Sequence, residues 1–166
     1  YDLAVTVNEA SGAGTFNIVG DTLVSYSGSE STVTIPDGVR VIGENAFKNN
    51  DYILNVICPD SLEQIDYRAF YDCNNLQSVS LPETMKVINE GAFYYCENLK
   101  TLGHTDDGVL PKGLTSIGVE AFYFCKALEG DLVIPEGVTS LSAGIFYNAF
   151  ALTSICLLYT SPSPRD

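Results

Sequence analysis

Three cysteines recur at regular intervals and invite a metal or disulfide interpretation. Cys73, Cys96 and Cys125 follow one another after 23 and 29 residues, and these intervals lack the short C-x-x-C pairs of zinc sites. If the three side chains stack on successive coils, their Cβ atoms lie about 4.8 Å apart, farther than the ~3.5 to 4.5 Å that a disulfide prefers. We therefore expect small buried thiols at these positions.

The chain has one histidine, and two aspartates lie close to it. His104, Asp106 and Asp107 belong to the segment GHTDDG, residues 103–108. One imidazole and two carboxylates could hold a cation, but such a loop is more often solvated. We therefore expect no metal and no cofactor here, and interpret the segment as an inserted loop that could contribute to binding specificity.

Aromatic side chains recur beside one position of the sequence pattern. They are Tyr71, Tyr94, Tyr123 and Tyr147, joined by Tyr95 and Phe124. The rings could simply pack on each other, or they could form a platform for a sugar ring or a protein hot spot. A second candidate surface is a row of small polar residues, expected to point outward from the strands: Asn55, Ser78, Thr101, Asp131 and Ser154.

Composition and motifs argue against several classes of function. The net charge of -13 would repel a phosphate backbone, so nucleic acid is not an expected partner. No apolar run approaches the ~20 residues of a membrane helix, and we expect no direct membrane insertion. The sequence has one histidine and no G-x-S-x-G motif. It also lacks the fingerprints of phosphate-binding loops and of dinucleotide-binding folds. Its acidic residues are distributed along the chain at positions set by the repeat. We therefore expect no enzyme.

A repeat must position these side chains. Prolines that follow an apolar residue stand at 36, 59, 82, 111 and 135, and each has a phenylalanine eleven residues later. Fixed spacing of this kind predicts two interior columns, one aromatic and one aliphatic. They consist of Phe47, Phe70, Phe93, Phe122 and Phe146, and of Ile42, Ile65, Ile88, Ile117 and Leu141.

The length of the repeat indicates a solenoid. A period of 23 to 24 residues lies in the leucine-rich-repeat range, and the segment LQSVSL, residues 76–81, has the L-x-x-L-x-L strand pattern. Residues that cap helices follow the column of isoleucines, so we expect a short helical turn around Ala-Phe. The predicted fold is an α/β solenoid of about five coils, with a parallel strand ladder, short helical turns and an N-terminal β cap.

The two ends depart from the repeat. Residues 36–155 carry it, and residues 13–35 contain three short strand patterns that suit a terminal cap. We interpret residues 1–12 as the end of a preceding segment or as disordered. The tail 156–166, CLLYTSPSPRD, resembles the in-frame translation of an adapter used in preparing sequencing libraries, and we interpret it as non-native. The alternative is a Ser/Pro-rich linker.

The repeated motif resembles a known family. The segment LPETMKVINEGAFYYCENLKTL, with IPDGVRVIGENAF and CPDSLEQIDYRAFYDCNNLQSV, is similar to the BspA-like class of leucine-rich repeats over about residues 21–155. Proteins of that class are typically secreted or surface-exposed, and several are implicated in adhesion to host matrix proteins or to other cells. The resemblance implies an extracellular or cell-surface location. Because the sequence starts at Tyr1 and not at Met, we also expect a fragment of a larger protein. Because ligands vary within the class, the resemblance assigns no binding residue.

Two functions of different kinds remain open at this point. One is a non-catalytic adhesion module that binds an extracellular or host protein through the strand face and the 103–108 loop, with a glycan as the alternative ligand. The other is a rigid spacer that presents another domain.

Overall fold

The computed structural model describes residues 4–7, 14–103 and 109–158. Over these residues the chain winds through thirteen short β-strands. They are β1 Ala4–Val7, β2 Thr15–Val19, β3 Thr22–Ser27, β4 Thr32–Thr34, β5 Val41–Ile42, β6 Asn55–Ile57, β7 Gln64–Ile65, β8 Ser78–Ser80, β9 Val87–Ile88, β10 Thr101–Leu102, β11 Ser116–Ile117, β12 Gly130–Ile134 and β13 Leu152–Leu157.

One face of the solenoid is a parallel ladder with one strand per repeat. Strands β4, β6, β8 and β10 form a four-stranded sheet in which Thr32, Asn55, Ser78 and Thr101 are successive partners. Strands β12 and β13 form a further parallel pair. The described residues thus contain six rungs instead of the five coils expected, because β4 in the segment 13–35 is already a rung.

A second ladder runs along another side of each coil. Strands β1, β2 and β3 are antiparallel, and β3 then pairs in parallel with β5, followed by β7, β9 and β11. Each of these last four strands has only two residues, and its second residue is a buried isoleucine of the aliphatic column. The parallel ladders make the fold a β-solenoid, in which each coil covers the apolar side of its neighbour.

The aromatic column forms the centre of the core. Phe47, Phe70, Phe93 and Phe122 are at most 1% exposed. Their rings are parallel within 7°, with centroid distances of 4.9, 5.1 and 5.4 Å along the column. Ring stacking therefore repeats at nearly the distance between neighbouring strands of a sheet, about 4.8 Å.

The predicted helical turns are wrong, and the described residues contain no helix. The segment that carries Ala46 and Phe47 forms consecutive turns in which backbone amides bond in two directions. The Ala46 N–H donates to the Gly43 carbonyl within the coil, whereas the Phe47 N–H donates to the Ala69 carbonyl of the next coil. An α-helix needs each amide to bond four residues back, so this alternation excludes it and the fold is not α/β.

Left-handed residues at two positions of each coil reinforce this geometry. Their φ angles lie between 52° and 76°, a conformation that ends helices and costs non-glycine residues about 1–2 kcal/mol. The first position holds Asn45, Arg68, Gly91, Glu120 and Gly144, and the second holds Asn49, Asp72, Tyr95, Phe124 and Asn148. The polar residues that the sequence predicts as helix caps therefore lead into tight turns.

Leu141 departs from the predicted core. Its side chain is 39% exposed, whereas Ile117 at the matching position of the preceding coil is 4% exposed. The segment around Leu141 forms no strand, and β11 is the last strand of its sheet among the described residues. Within the described part of the chain, no following strand covers Leu141. Phe146 is only partly buried, although its ring stacks on that of Phe122 at 5.5 Å.

The repeating cysteines are buried free thiols, as expected. The Sγ atoms of Cys73 and Cys96 each donate a hydrogen bond of 3.0 Å to a phenylalanine carbonyl of the preceding coil, and Cys125 does the same at 3.2 Å. The described cysteines form no disulfide. Burial raises the pKa of Cys73 to about 12, so this thiol stays protonated and unreactive at neutral pH.

Candidate functional site

A column of stacked tyrosines runs along the turns that follow the core phenylalanines. Its members are Tyr71, Tyr94, Tyr123 and Tyr147, with centroid distances of 5.3, 4.6 and 5.0 Å and interplanar angles of at most 13°. The first three are partly exposed, and Tyr147 is 54% exposed. The sequence pattern therefore brings these rings into contact at the surface.

A second, shorter aromatic column adjoins the first. The rings of Tyr95 and Phe124 stack at 4.8 Å, and Tyr95 also contacts Tyr94 at 4.9 Å with an angle of 59°. Phe124 contacts Tyr123 at 4.9 Å. We call these six residues, Tyr71, Tyr94, Tyr95, Tyr123, Phe124 and Tyr147, the aromatic corner.

The backbone of the turns fixes the spacing of the aromatic corner. Tyr95 and Phe124 are left-handed, each with φ of 60°. The Tyr95 N–H donates to the Tyr123 carbonyl at 2.9 Å, and the Phe124 N–H donates to the Tyr147 carbonyl at 2.8 Å. Main-chain hydrogen bonds between coils thus hold the rings at the distance where aromatic faces meet.

Stacking determines which part of each ring a partner can reach. The faces of Tyr94 and Tyr123 are covered by the neighbouring rings of their column. An aromatic ring is negative on its face and positive at its edge. The inner rungs therefore present positive edges and phenol groups to the outside, and they offer no free face on which a sugar ring could stack.

Charged groups differ between the two ends of the corner. Lys48 Nζ lies 5.4 Å and Arg68 Cζ 5.0 Å from the Tyr71 centroid. Toward the other end, burial raises the pKa of Tyr94 and of Tyr123, and the carboxylate of Glu120 acts in the same direction on both. The Tyr71 end is therefore cationic, and the Tyr123 end carries a carboxylate.

The predicted polar residues of the strand ladder occupy two sheets. Asn55, Ser78 and Thr101 are neighbours in the four-stranded sheet, and Asp131 lies on the two-stranded one. Ser78 Oγ donates to Asn55 Oδ1 at 2.7 Å, and Ser154 Oγ donates to Asp131 Oδ1 at the same distance. Because these groups satisfy each other, they offer fewer free donors than the sequence implied.

The loop residues His104, Asp106 and Asp107 lie outside the described residues. Within the ranges 4–7, 14–103 and 109–158, no group of three His, Cys, Asp or Glu side chains is arranged to hold a metal ion. The same ranges contain no helix that is both long and apolar enough to span a bilayer.

Sequence reasoning missed Lys48 and Arg68 as members of this surface. Lys48 stands twelve residues after Pro36, the position that tyrosine holds in the next coils, so the repeat register could have placed it there. Arg68 contacts two rings, those of Tyr67 and Tyr71, at 4.8 and 5.0 Å. That contact depends on a left-handed backbone, which an arginine in the sequence does not indicate.

A family model describes nearly the whole chain. The model of the BspA type leucine rich repeat region matches residues 17–107 and 104–162 with six copies. That number agrees with the six rungs of the described ladder. A search of curated protein sequences gave no significant match.

Solved structures of bacterial repeat proteins share the fold. A leucine rich cell surface protein from Faecalibacterium prausnitzii A2-165 is 30% identical with a TM-score of 0.75, over 95% of this chain and 44% of that one. The T. pallidum leucine rich repeat protein is 28% identical with a TM-score of 0.73, over 81% and 62%. A leucine-rich repeat protein from Bacteroides ovatus ATCC 8483 is 26% identical with a TM-score of 0.69, over 95% and 40%.

The match to these proteins is partial on their side, since the chain covers less than two thirds of the length of each. On the side of this chain it is nearly complete, and the family model finds its repeats where the structure has its rungs. The chain therefore belongs to the BspA-type leucine-rich repeat family.

Proposed function

We propose that this chain is a protein-binding module of a secreted or cell-surface protein and that the aromatic corner is its binding surface. The observation that carries the proposal is the continuous row of partly exposed rings from Tyr71 to Tyr147. Tyrosine is enriched at protein interfaces because it combines a large apolar area with a hydroxyl group and loses little conformational entropy. Partner binding would cover these edges without requiring a conformational change.

The family supports this class of function at a coarse level. Leucine-rich repeat solenoids are generally non-enzymatic binding scaffolds, and proteins of the BspA type are typically associated with the cell surface. One of the similar structures is described as a leucine rich cell surface protein. An adhesive role toward a host or neighbouring-cell protein is the specific form that we propose here.

The stacking geometry favours a protein partner over a glycan. A sugar binds an aromatic platform through the ring face, and the faces of Tyr94 and Tyr123 are already occupied. Protein side chains and backbone carbonyls can instead contact ring edges and accept hydrogen bonds from phenol groups. A glycan would therefore have to use the outer face of Tyr147, which is 54% exposed, or bind elsewhere, for example along the strand ladder.

The proposal can be tested with purified protein and matched tyrosine variants. The chain would be immobilised and screened against matrix proteins and glycans, together with Tyr94→Ser, Tyr147→Ser and the control Tyr52→Ser. Tyr52 is 65% exposed and lies off the corner. We expect a matrix protein to bind, and we expect each corner variant to weaken binding about thirtyfold or more, which is the loss of a hot spot.

Two results would contradict this proposal. If no matrix protein binds above an unrelated acidic protein, the spacer function is the better description. If binding occurs but both corner variants retain it, the surface lies elsewhere. A deletion of residues 103–108 then tests whether the loop is responsible, and circular dichroism confirms that each variant is folded.

A further inference from the structure

Two basic side chains that form no ion pair with another described residue lie at one end of the aromatic corner. Lys48 and Arg68 both lie within 5.4 Å of the Tyr71 centroid, and Arg68 is also 4.8 Å from that of Tyr67. The ion pairs among the described residues use Arg40, Lys86 and Lys126; Lys100 and Lys112 form none there either, but neither of them has a ring contact with the aromatic corner. In a chain with 21 acidic and 8 basic residues, two unpaired neighbouring cations leave local positive charge on an acidic protein.

The backbone fixes the position of Arg68. The residue is left-handed with φ of 52°, and its N–H donates to the Glu90 carbonyl of the next coil at 3.1 Å. Its Cγ would lie 3.3 Å from a Cβ placed on Gly91, so glycine leaves the room that the arginine stem occupies. A guanidinium group held in this way loses less freedom when it binds a ligand.

The chemistry around the two cations suits a carboxylate. A guanidinium group over a ring keeps N–H donors for a bidentate bond with the two oxygens of a carboxylate. The ring edges of Tyr71 and Tyr94 are positive, and the phenol group of Tyr71 can donate a hydrogen bond, whereas the Tyr94 hydroxyl is engaged with that of Tyr123. Glu120 lies near Tyr94 and Tyr123, which confines a favourable anion position to the Tyr71 end.

We propose that Lys48 and Arg68 anchor an acidic side chain of an extended polypeptide that lies along the aromatic corner. This inference rests on the proposed function and adds the chemistry and the orientation of the partner. The acidic residue lies at the Tyr71 end, and the apolar and backbone groups of the segment contact the edges of Tyr94, Tyr95 and Tyr123. The net charge of -13 repels strongly acidic partners, so the rest of the bound segment is neutral or basic. Its one carboxylate, held by Lys48 and Arg68, sets the register of the segment on the aromatic corner.

A peptide selection tests the inference without knowledge of the natural partner. A random decapeptide library displayed on phage would be selected against the wild-type chain, the double variant Lys48→Gln/Arg68→Gln and the control Lys100→Gln/Lys112→Gln. The two control lysines are exposed and lie off the corner. We expect the wild type and the control to enrich Asp or Glu at one position, and we expect the double variant to lose that enrichment while remaining folded by circular dichroism.

A synthetic peptide from the selection completes the test. Changing its acidic residue to the amide should weaken binding to the wild type about tenfold or more and leave binding to the double variant nearly unchanged. If acidic residues are not enriched, or if the two peptides bind the wild type equally, the anchor is wrong. The proposed function survives that result if Tyr94→Ser still abolishes peptide binding, whereas failure of the wild type to select any peptide overturns both.

Discussion

The ring of Phe93 lies parallel to that of Phe70, with centroids 5.1 Å apart and an angle of 4° between the planes. On its other side the ring stacks on Phe122 at 5.4 Å. The inner coils thus each contribute one ring that is covered on both faces by its neighbours, whereas Phe146 at the end of the column stacks on one side only. The core is continuous along the solenoid, and the effect of removing a ring should depend on its place in the stack.

Replacing Phe93 with alanine should destabilise the protein by roughly 3–5 kcal/mol, because a fully buried ring is lost and a cavity remains between two others. Phe146→Ala is the matched control and should have a smaller effect, since that side chain is only partly buried. Urea unfolding followed by circular dichroism gives both values. Equal effects of the two substitutions would contradict the assigned stack.

Thiol labelling should separate the cysteines by burial. Cys58, Cys73, Cys96 and Cys125 are buried, and Cys156 is exposed. We expect one thiol of the native protein to react rapidly with a disulfide reagent, and we expect all five to react after unfolding in urea. Cys156→Ser should remove the rapid reaction. Rapid labelling of a second native thiol would show that a coil opens or that the column is accessible.

Alkaline pH should weaken the fold through the buried thiols. Burial raises the pKa of Cys58 and of Cys73 to about 12 in the folded protein, whereas unfolded thiols titrate near their ordinary value of about 8.5. The folded state therefore holds more protons between these values, and the free energy of unfolding falls as the pH rises through this range. Below pH 8 this contribution is fully present.

Urea midpoints measured from pH 7 to 11 test this dependence. The variant Cys73→Ala should have a lower midpoint at every pH because of the cavity it leaves, but it should show a shallower decline above pH 9 than the wild type. Parallel pH profiles for the two proteins would mean that Cys73 does not contribute.

Glycine should be favourable at one strained position of the turns. Glu120 is left-handed with φ of 54°, and Gly91 and Gly144 hold the equivalent position of neighbouring coils. Glu120→Gly should relieve strain and stabilise the protein by about 0.5–1 kcal/mol after the entropy cost of glycine. Glu44→Gly is the control, because its side chain is exposed and it precedes the left-handed Asn45; it should be destabilising. A thermal melt in which both variants are destabilised would contradict the argument.

The repeat could be predicted from the sequence because large apolar side chains at fixed spacing leave few alternatives. The phenylalanine and isoleucine columns lie inside wherever a following coil covers them. Leu141 fits the same pattern in the sequence, but no strand within the described residues follows its coil and covers it. Periodicity specifies which side of a coil is apolar, and it does not specify whether a neighbour covers that side.

The turns and the cationic end of the corner could not be predicted in the same way. Gly43 and Ala46 suit a helical turn as well as a tight one, and the choice depends on amides that bond to the next coil. The sequence indicates that Tyr71, Tyr94 and Tyr123 form a column. It does not indicate that neighbouring rings cover each other's faces, because this depends on the centroid distances of 4.6 to 5.3 Å. Contacts between coils, rather than local propensity, determine both features.

The amides of Tyr95 and Phe124 join adjacent coils through main-chain hydrogen bonds. The fold of the turns therefore depends on backbone atoms, whereas binding depends on the side chains. An outward side chain can be exchanged in one coil while the hydrogen bonds that join it to the next coil persist. The turns thus provide a row of surface positions about 4.8 Å apart, and each position carries one side chain. Substituting these outward side chains, one coil at a time, is a direct route from this scaffold to binders of chosen peptides.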